Sequence, residues 1–199
     1  MLIMKTESPC VRQHIIDTAK PIILGKGYAA VGLSEILSAA DVPKGSFYHY
    51  FKSKDAFGEA LLEHYFDDYL AWIDALLADD GTPAAERLMR YWQGWGNHQA
   101  CDKRESKCLV VKLGGEVSDL SEAMREALNR GTAAVVRRLA ACIEAGQADG
   151  SLATIDDAHA AAETLYQMWL GATLLSKIRR DDSPLRAALQ STRQLLHLA

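Results

Sequence analysis

Between residues 44 and 54 the chain gathers side chains suited to touching a nucleic acid: Lys44, Ser46, Tyr48, His49 and Tyr50, with Lys54 a few positions on. On a short helix in a major groove, a lysine reads guanine acceptors, while serine and tyrosine reach bases or phosphates. Gly45 removes a side chain and lets the backbone come close. Helix starts expected at Ser34, at Lys44 and near Lys54 would present free N–H groups to phosphates. Taken singly, a tyrosine is more often a half-buried packing residue, and a lysine is usually just a solvated charge. It is the combination at this spacing that points to duplex DNA.

A second chemistry lies in the cysteines. Cys108 sits among Lys103, Arg104, Lys107 and Lys112, near the expected start of a short helix. Positive charge and helix N–H groups both favour the thiolate, the form that attacks electrophiles. The plainer reading is an inert small hydrophobe, as most cysteines of helical bundles are. Lys177 is one of few charges on an apolar helix. Next to Cys108 it would lower the thiol's pKa or capture an oxidised sulfur as a nitrogen-bonded product; the plainer reading is a solvated lysine near a helix end. Cys142 reads as core, Cys10 lies in the start of the chain and Cys101 ends a helix. The four cysteines form no CxxC pair and no disulfide framework, and His98, Cys101 and Cys108 lack a fourth metal ligand. No cofactor or metal is implied. Tyr91, Trp92 and Trp95, with Trp72 and Trp169 from other helices, either fill the core or line an apolar cavity for a small aromatic or quinone-like ligand.

These groups need a helical scaffold, because apolar residues recur at 3.6-residue spacing with no alternating strand pattern and no internal repeat. Helices are predicted over about 9–24, 34–40, 43–50, 53–78, 83–101, 106–117, 121–148, 155–180 and 184–198. Pro9 opens the first and Gly25 with Gly27 stops it, with Pro21 expected to kink or end it early. Ser34, Ser53, Ser121, Thr154 and Ser183 are the start signals. The two short helices at 34–40 and 43–50, joined by a tight turn, have the spacing of a helix-turn-helix. Leu33, Ile36, Leu37, Val42, Phe47 and Phe51 would lock them together. Gly94 and Gly96 should weaken or bend the helix that carries them. The helix 155–180 has a broad apolar face with small Gly171, Ala172 and Ser176, serving either the core or a subunit interface shared with the last helix.

Composition agrees with this picture. The chain has 199 residues, 49% hydrophobic and 24% charged, which is ordinary globular usage. No apolar run approaches the roughly 18 residues of a membrane span, and residues 1–10 lack a signal peptide's apolar core, so a cytoplasmic protein with no membrane partner is expected. The net charge of −4 argues against a protein that binds nucleic acid by charge alone. Its distribution matters more: residues 1–55 carry seven Lys and Arg against five Asp and Glu, a balance of +2, and the remainder fifteen against twenty-one. A mildly basic head and an acidic body permit a DNA-facing N-terminus. The expected domains are residues 1–54, DNA-binding, and 55–199, effector-sensing and dimerising.

The run Val42-Pro43-Lys44-Gly45-Ser46-Phe47-Tyr48-His49-Tyr50-Phe51-Lys52-Ser53-Lys54-Asp55 resembles the recognition helix and following turn of the TetR family of bacterial regulators. Motifs of that family cover about residues 10–57. The resemblance implies an all-α protein, a three-helix head on a helical body of about nine helices in all. It implies Tyr48 and Tyr50 at phosphates or bases, Lys54 on a phosphate, Ser34 at the first motif helix, and Lys44 with Ser46 at base edges. It also implies a homodimer paired through the last two helices, with an inducer pocket in each body. Residues 107–122 and 165–177 further resemble a subgroup of that family, the N-ethylmaleimide-responsive repressors. That likeness implies that electrophiles and oxidants are sensed through a cysteine mapping onto Cys108. The subgroup pattern can carry another cysteine where this chain has Ser118, so chemistry needing a second thiol there is not available.

Three function classes follow. One is a repressor whose affinity for a palindromic operator is relieved when Cys108 reacts. Another keeps the repressor but makes induction a reversible, noncovalent event in the aromatic cavity. The third, an enzyme such as a cysteine hydrolase, has no strand-borne nucleophile and no complete ligand set behind it.

Overall fold

The structure, a computed structural model, describes residues 8–100 and 108–198, with side chains over 11–96 and 108–198. Among these residues there are nine helices and no strand: α1 (Ser8–Lys26), α2 (Leu33–Ala40), α3 (Lys44–Tyr50), α4 (Lys54–Leu77), α5 (Ala84–Ala100), α6 (Leu109–Leu120), α7 (Glu122–Ala148), α8 (Ala158–Arg179) and α9 (Ser183–Leu195). Cys10, His98, Cys101, Lys103, Arg104 and Lys107 lie outside the residues whose side chains are described.

The head is α1 to α3 with the start of α4. Ile15, Ile16, Ala19 and Ile23 bury one face of α1 against Ile36 and Ala40 of α2, Phe47 of α3 and Phe57 of α4. α3 has seven residues, too few to be stable in isolation. Phe47 anchors it, fully buried with its ring 5.1 Å from that of Phe51 and 5.6 Å from that of Phe57. Burying that ring contributes about 1.5–3 kcal/mol, which fixes how α3 sits on the head.

The body is built around α7, which packs on α4, α5, α6 and α8, with α9 laid against α8. α4 and α7 approach closely at Gly131, where a Cβ would strike the ring of Phe66. The aromatic core of α5 and α8 is dense: Trp92 stacks on Trp169 at 5.3 Å and 19°, and Tyr91 and Trp95 pack around them.

Several sequence expectations need correction. α1 runs through Pro21 to Lys26, since Ile23 and Leu24 beyond it are buried, and burial of that stripe outweighs the lost hydrogen bond. It stops at Gly27, whose φ of +94° is left-handed backbone. The residue capping α2 is Gly32, not Ser34, whose side chain is exposed in the first turn. α8 starts from Asp157, which accepts from the Ala160 amide at 2.9 Å, and not from Thr154. The intervening Ile155 amide is held outside helical geometry by Gln147 Oε1 at 2.9 Å. α5 passes unbroken through Gly94 and Gly96, whose bare backbones face the rings of Trp72 and Trp169. The caps expected at Ser53 and Ser121 are present, with Oγ accepting from Ala56 at 3.0 Å and from Met124 at 3.4 Å.

Candidate functional site

The turn between α2 and α3 is made by Asp41 in left-handed conformation, with φ 52°, and closed by the Val42 amide on the Leu37 carbonyl at 3.1 Å. Leu33, Leu37 and Val42 pack half-buried against Ile36, Phe47 and Phe51, so the two short helices form one rigid unit. Lys44, Gly45, Tyr48 and His49 are exposed on α3, and Tyr48 keeps 48% of its surface in water although its ring lies edge-on to Phe47. The Lys44 ammonium lies 5.9 Å from the centre of the Tyr48 ring. Ser46 is half-buried, and Tyr50 packs half-buried against the core with His49 at its edge, 4.9 Å between rings. A Cβ built on Gly45 would meet nothing within 4 Å, so no contact inside the fold requires glycine there.

Lys54, the first residue of α4, faces inward. Its Nζ donates to the Tyr28 carbonyl at 3.0 Å and lies 4.6 Å from the centre of the Tyr28 ring, while Tyr28 Oη donates to the Lys54 carbonyl. Burial and the neighbouring Asp55 carboxylate push the Tyr28 phenol well above its ordinary pKa, so it stays a neutral donor. The Tyr28 amide donates to Glu116 Oε2 at 3.2 Å and the Ala29 amide to Glu116 Oε1 at 2.6 Å. Sequence reading passed over Tyr28 and Glu116. The signal for Tyr28 was a large aromatic immediately after the Gly25–Gly27 stop of α1; for Glu116, a carboxylate beside the apolar stripe of Leu109, Leu113 and Val117.

Cys108 stands at the N-cap position of α6, its side chain making no capping hydrogen bond, and is 7% exposed. Burial pushes its thiol above the ordinary range, against the pull of the Val111 and Val110 amides, the Lys177 charge and the Tyr65 hydroxyl. The expectation of a favoured thiolate is therefore corrected: the helix N–H groups and Lys177 act in the foreseen direction, but loss of water outweighs them. Burial pushes the neighbouring phenols of Tyr65, Tyr69, Tyr91 and Tyr166 above their ordinary range as well, and negative charge on this sulfur would push them in the same direction. Tyr69 and Tyr91 share a hydroxyl–hydroxyl hydrogen bond of 2.8 Å. Ser118 points elsewhere, donating to the Gly114 carbonyl at 2.6 Å. Cys142 is buried, as expected of a core residue.

Of the expected pocket residues, Tyr91, Trp92, Trp95 and Trp169 are buried and packed on one another, and Trp72 is 36% exposed beside Tyr69 and Tyr91. Trp92 and Trp169 form the wall of a recess of about 380 Å³ with Gln93, Leu185, Arg186 and Leu189. Among the described residues no group of three or more His, Cys, Asp or Glu could hold a metal ion, and no helix is long and apolar enough to cross a membrane.

A rigid helix-turn-helix with exposed polar residues on its second helix, carried on a larger helical bundle, defines a DNA-binding regulator. Residues 15–61 match the family model described as bacterial regulatory proteins, tetR family, and residues 84–192 match the tetracyclin repressor-like C-terminal domain. The chain is 39% identical over 185 residues to the HTH-type transcriptional repressor NemR of Escherichia coli K12, covering 93% of each chain. It is 35% identical to the HTH-type transcriptional repressor DhaR of Mycobacterium sp. GP1, covering 88% of this chain and 86% of that one. The crystal structure of reduced E. coli NemR superposes with a TM-score of 0.88 at 40% identity, covering 92% of this chain and 95% of that one. The chain belongs to the TetR family and is a TetR-type transcriptional repressor.

Proposed function

We propose that this repressor releases its operator when an electrophile or oxidant modifies Cys108. The observation that carries the reading is the seat of that thiol at the N-terminus of α6, where burial raises its pKa but the Val111 and Val110 amides and the Lys177 charge pull the other way, so the thiolate, once formed, meets groups that stabilise it. Similarity to NemR over almost the whole chain supports it. Toward a maleimide, the sulfur forms a bond to one alkene carbon, the π pair moves to the other and takes up a proton, and no redox co-reactant is needed. Toward a hydroperoxide, the sulfur takes one oxygen to become a sulfenic acid and the peroxide leaves as an alcohol or water. Attack by the unprotonated Lys177 amine then expels water and leaves a sulfur–nitrogen bond.

The head reads DNA through α3. Lys44, Ser46, Tyr48, His49 and Tyr50 face bases and phosphates, Gly45 lets the backbone approach, and Ser34 meets a phosphate at the start of α2. Lys54 reaches a phosphate with the donors that Tyr28 leaves. We place the division between DNA-binding and sensing domains after residue 54, where α4 begins. Two copies pair through α8 and α9, whose Leu174, Leu175, Ile178 and Leu195 are exposed apolar residues. The operator is then a palindrome whose half-site centres are whole turns apart, roughly 34 Å per turn. The protein works in the cytoplasm, where its thiols stay reduced.

A second reading, noncovalent induction, draws on one further observation. Trp92 Nε1 is buried without a hydrogen-bond partner among the described residues, and Trp92 lines the recess beside α9. A small aromatic ligand with an acceptor would satisfy it. The two readings part on one measurement: binding to the protein's own upstream DNA, with and without N-ethylmaleimide, for wild type and Cys108→Ser. Loss of binding in wild type alone supports the covalent reading. An equal response in both proteins overturns it.

A further inference from the structure

Cys108 and Glu116 stand on the same helix. Cys108 stands at the N-cap position of α6, and Glu116 lies eight positions on, about 12 Å along the axis at 1.5 Å per residue. Leu109, Leu113 and Val117 are fully buried and seat the helix as one body, so a displacement at its first turn is carried to Glu116. There the carboxylate spans two successive backbone amides of the head, those of Tyr28 and Ala29, at 3.2 and 2.6 Å. Hydrogen bonds of amides to a charged carboxylate are roughly twice as strong as neutral ones. The approach is close: a Cβ on Gly27 would lie 3.1 Å from Glu116 Oε2.

What the carboxylate grips is itself tied to the recognition unit. The Tyr28 carbonyl accepts from Lys54, its hydroxyl returns to the Lys54 carbonyl, and its ring lies under the Lys54 ammonium. Lys54 begins α4 next to the Ser53 cap, directly after α3 and Phe51. A continuous run of charge-assisted contacts thus joins α6 to the turn after α1 and to the junction of α3 with α4.

We propose that Glu116 is the latch through which the state of Cys108 reaches the DNA-binding head, its carboxylate holding the Tyr28 and Ala29 amides only while α6 keeps its unmodified position. The proposal rests on the reading of Cys108 as the sensor. Enlarging the sulfur inside a buried cap displaces the first turn of α6 and draws Glu116 away from the turn. The head then loses the restraint that sets its angle to the body.

The test uses the full chain as wild type, E116A and E116Q, each taken to complete reaction at Cys108 with N-ethylmaleimide as located by peptide mass. Affinity for the protein's own upstream DNA is measured before and after. Coupling between sites in proteins is commonly 5- to 150-fold. We expect wild type to lose at least about tenfold, and E116A less than about threefold although its Cys108 reacts fully. E116Q, which keeps its shape but lacks the charge, falls between. A purely structural role would change affinity equally in both states and leave the ratio intact, so an unchanged ratio in E116A overturns the latch. Hydrogen exchange over residues 27–30 of wild type separates the two claims without any DNA: faster exchange after the reaction supports the latch, and unchanged exchange overturns it. Faster exchange with unaltered DNA binding would remove the sensor reading and leave the latch standing.

Discussion

Lys54 Nζ donates to the carbonyl oxygen of Tyr28 across 3.0 Å and lies 4.6 Å from the centre of its ring. One lysine thus combines a charged hydrogen bond with a cation–π contact at the junction of α1 and α4. Lys54→Met should lower stability by about 1–2 kcal/mol, a drop in Tm of several degrees in thermal denaturation. DNA binding should weaken with it, because the start of α4 loses its tie to the turn after α1. An unchanged Tm would show that Tyr28 holds its place without the lysine.

Lys44 offers the contrast. Its ammonium lies over an exposed ring on α3, and replacement by alanine should leave Tm unaltered. Binding to upstream DNA should weaken, and the slope of log affinity against log salt should fall by about one. The slope for Lys54→Met should fall by less, since one of that lysine's donors is already engaged. Titrations at several salt concentrations measure both.

Two glycines should separate fold from function. In Gly131→Ala the new methyl group meets the ring of Phe66, itself buried between α4 and α7, and overpacking of this kind costs about 1–3 kcal/mol. In Gly45→Ala the methyl group meets nothing within 4 Å, so Tm should hold while DNA affinity drops. A normal affinity for Gly45→Ala would mean that the backbone of α3 does not come close to the duplex.

Reactivity of Cys108 should rise with pH and go on rising past the ordinary thiol range near 8.5, because burial raises its pKa. Rates of maleimide addition against pH measure this, and Lys177→Met should slow the reaction at any fixed pH by removing a charge that favours the thiolate. The same burial carries a stability consequence. Cys108 and the four tyrosines Tyr65, Tyr69, Tyr91 and Tyr166 all have raised folded-state values, so the fold favours their protonated forms. Their contribution is complete below the unfolded-state values, near 8.5 for the thiol and 10 for the phenols, and is lost as pH rises through the raised ones. Tm should stay level from neutral pH to about 8.5 and fall steeply above about 10.

Ile178, 67% exposed on α8, should matter to assembly rather than to folding. Ile178→Asp is expected to leave helix content and Tm of the separated chain intact and to shift the protein toward monomer, seen by sedimentation. Binding to the protein's own upstream DNA should fall together with the dimer. A dimer of unaltered strength would place the interface elsewhere.

Much of the head could be read from neighbours a few residues apart. The Phe47–Phe51 ring pair, the Ser53 cap and the glycine stop after α1 each record a bond or contact closed within about one turn, so residue types in order suffice to reveal them. Where a local signal erred, another contact had overruled it: Gln147 holds Ile155 and moves the start of α8 from Thr154 to Asp157, and buried Ile23 and Leu24 carry α1 past Pro21. Residues 155–157 had looked as helical as those after them, since a partner on α7 leaves no mark in the adjacent sequence.

By itself the sequence determined an all-helical chain with a helix-turn-helix near its start and a thiol at the head of a short helix, because periodicity, capping and turn chemistry are local. Tertiary structure alone decided that this thiol is buried among tyrosines, and that Glu116 closes on amides 87 and 88 residues away in the chain. Solvation of a sulfur and the reach of a carboxylate depend on which helices surround them. That arrangement is set by packing the whole apolar surface at once, and no stretch of neighbouring residues encodes it.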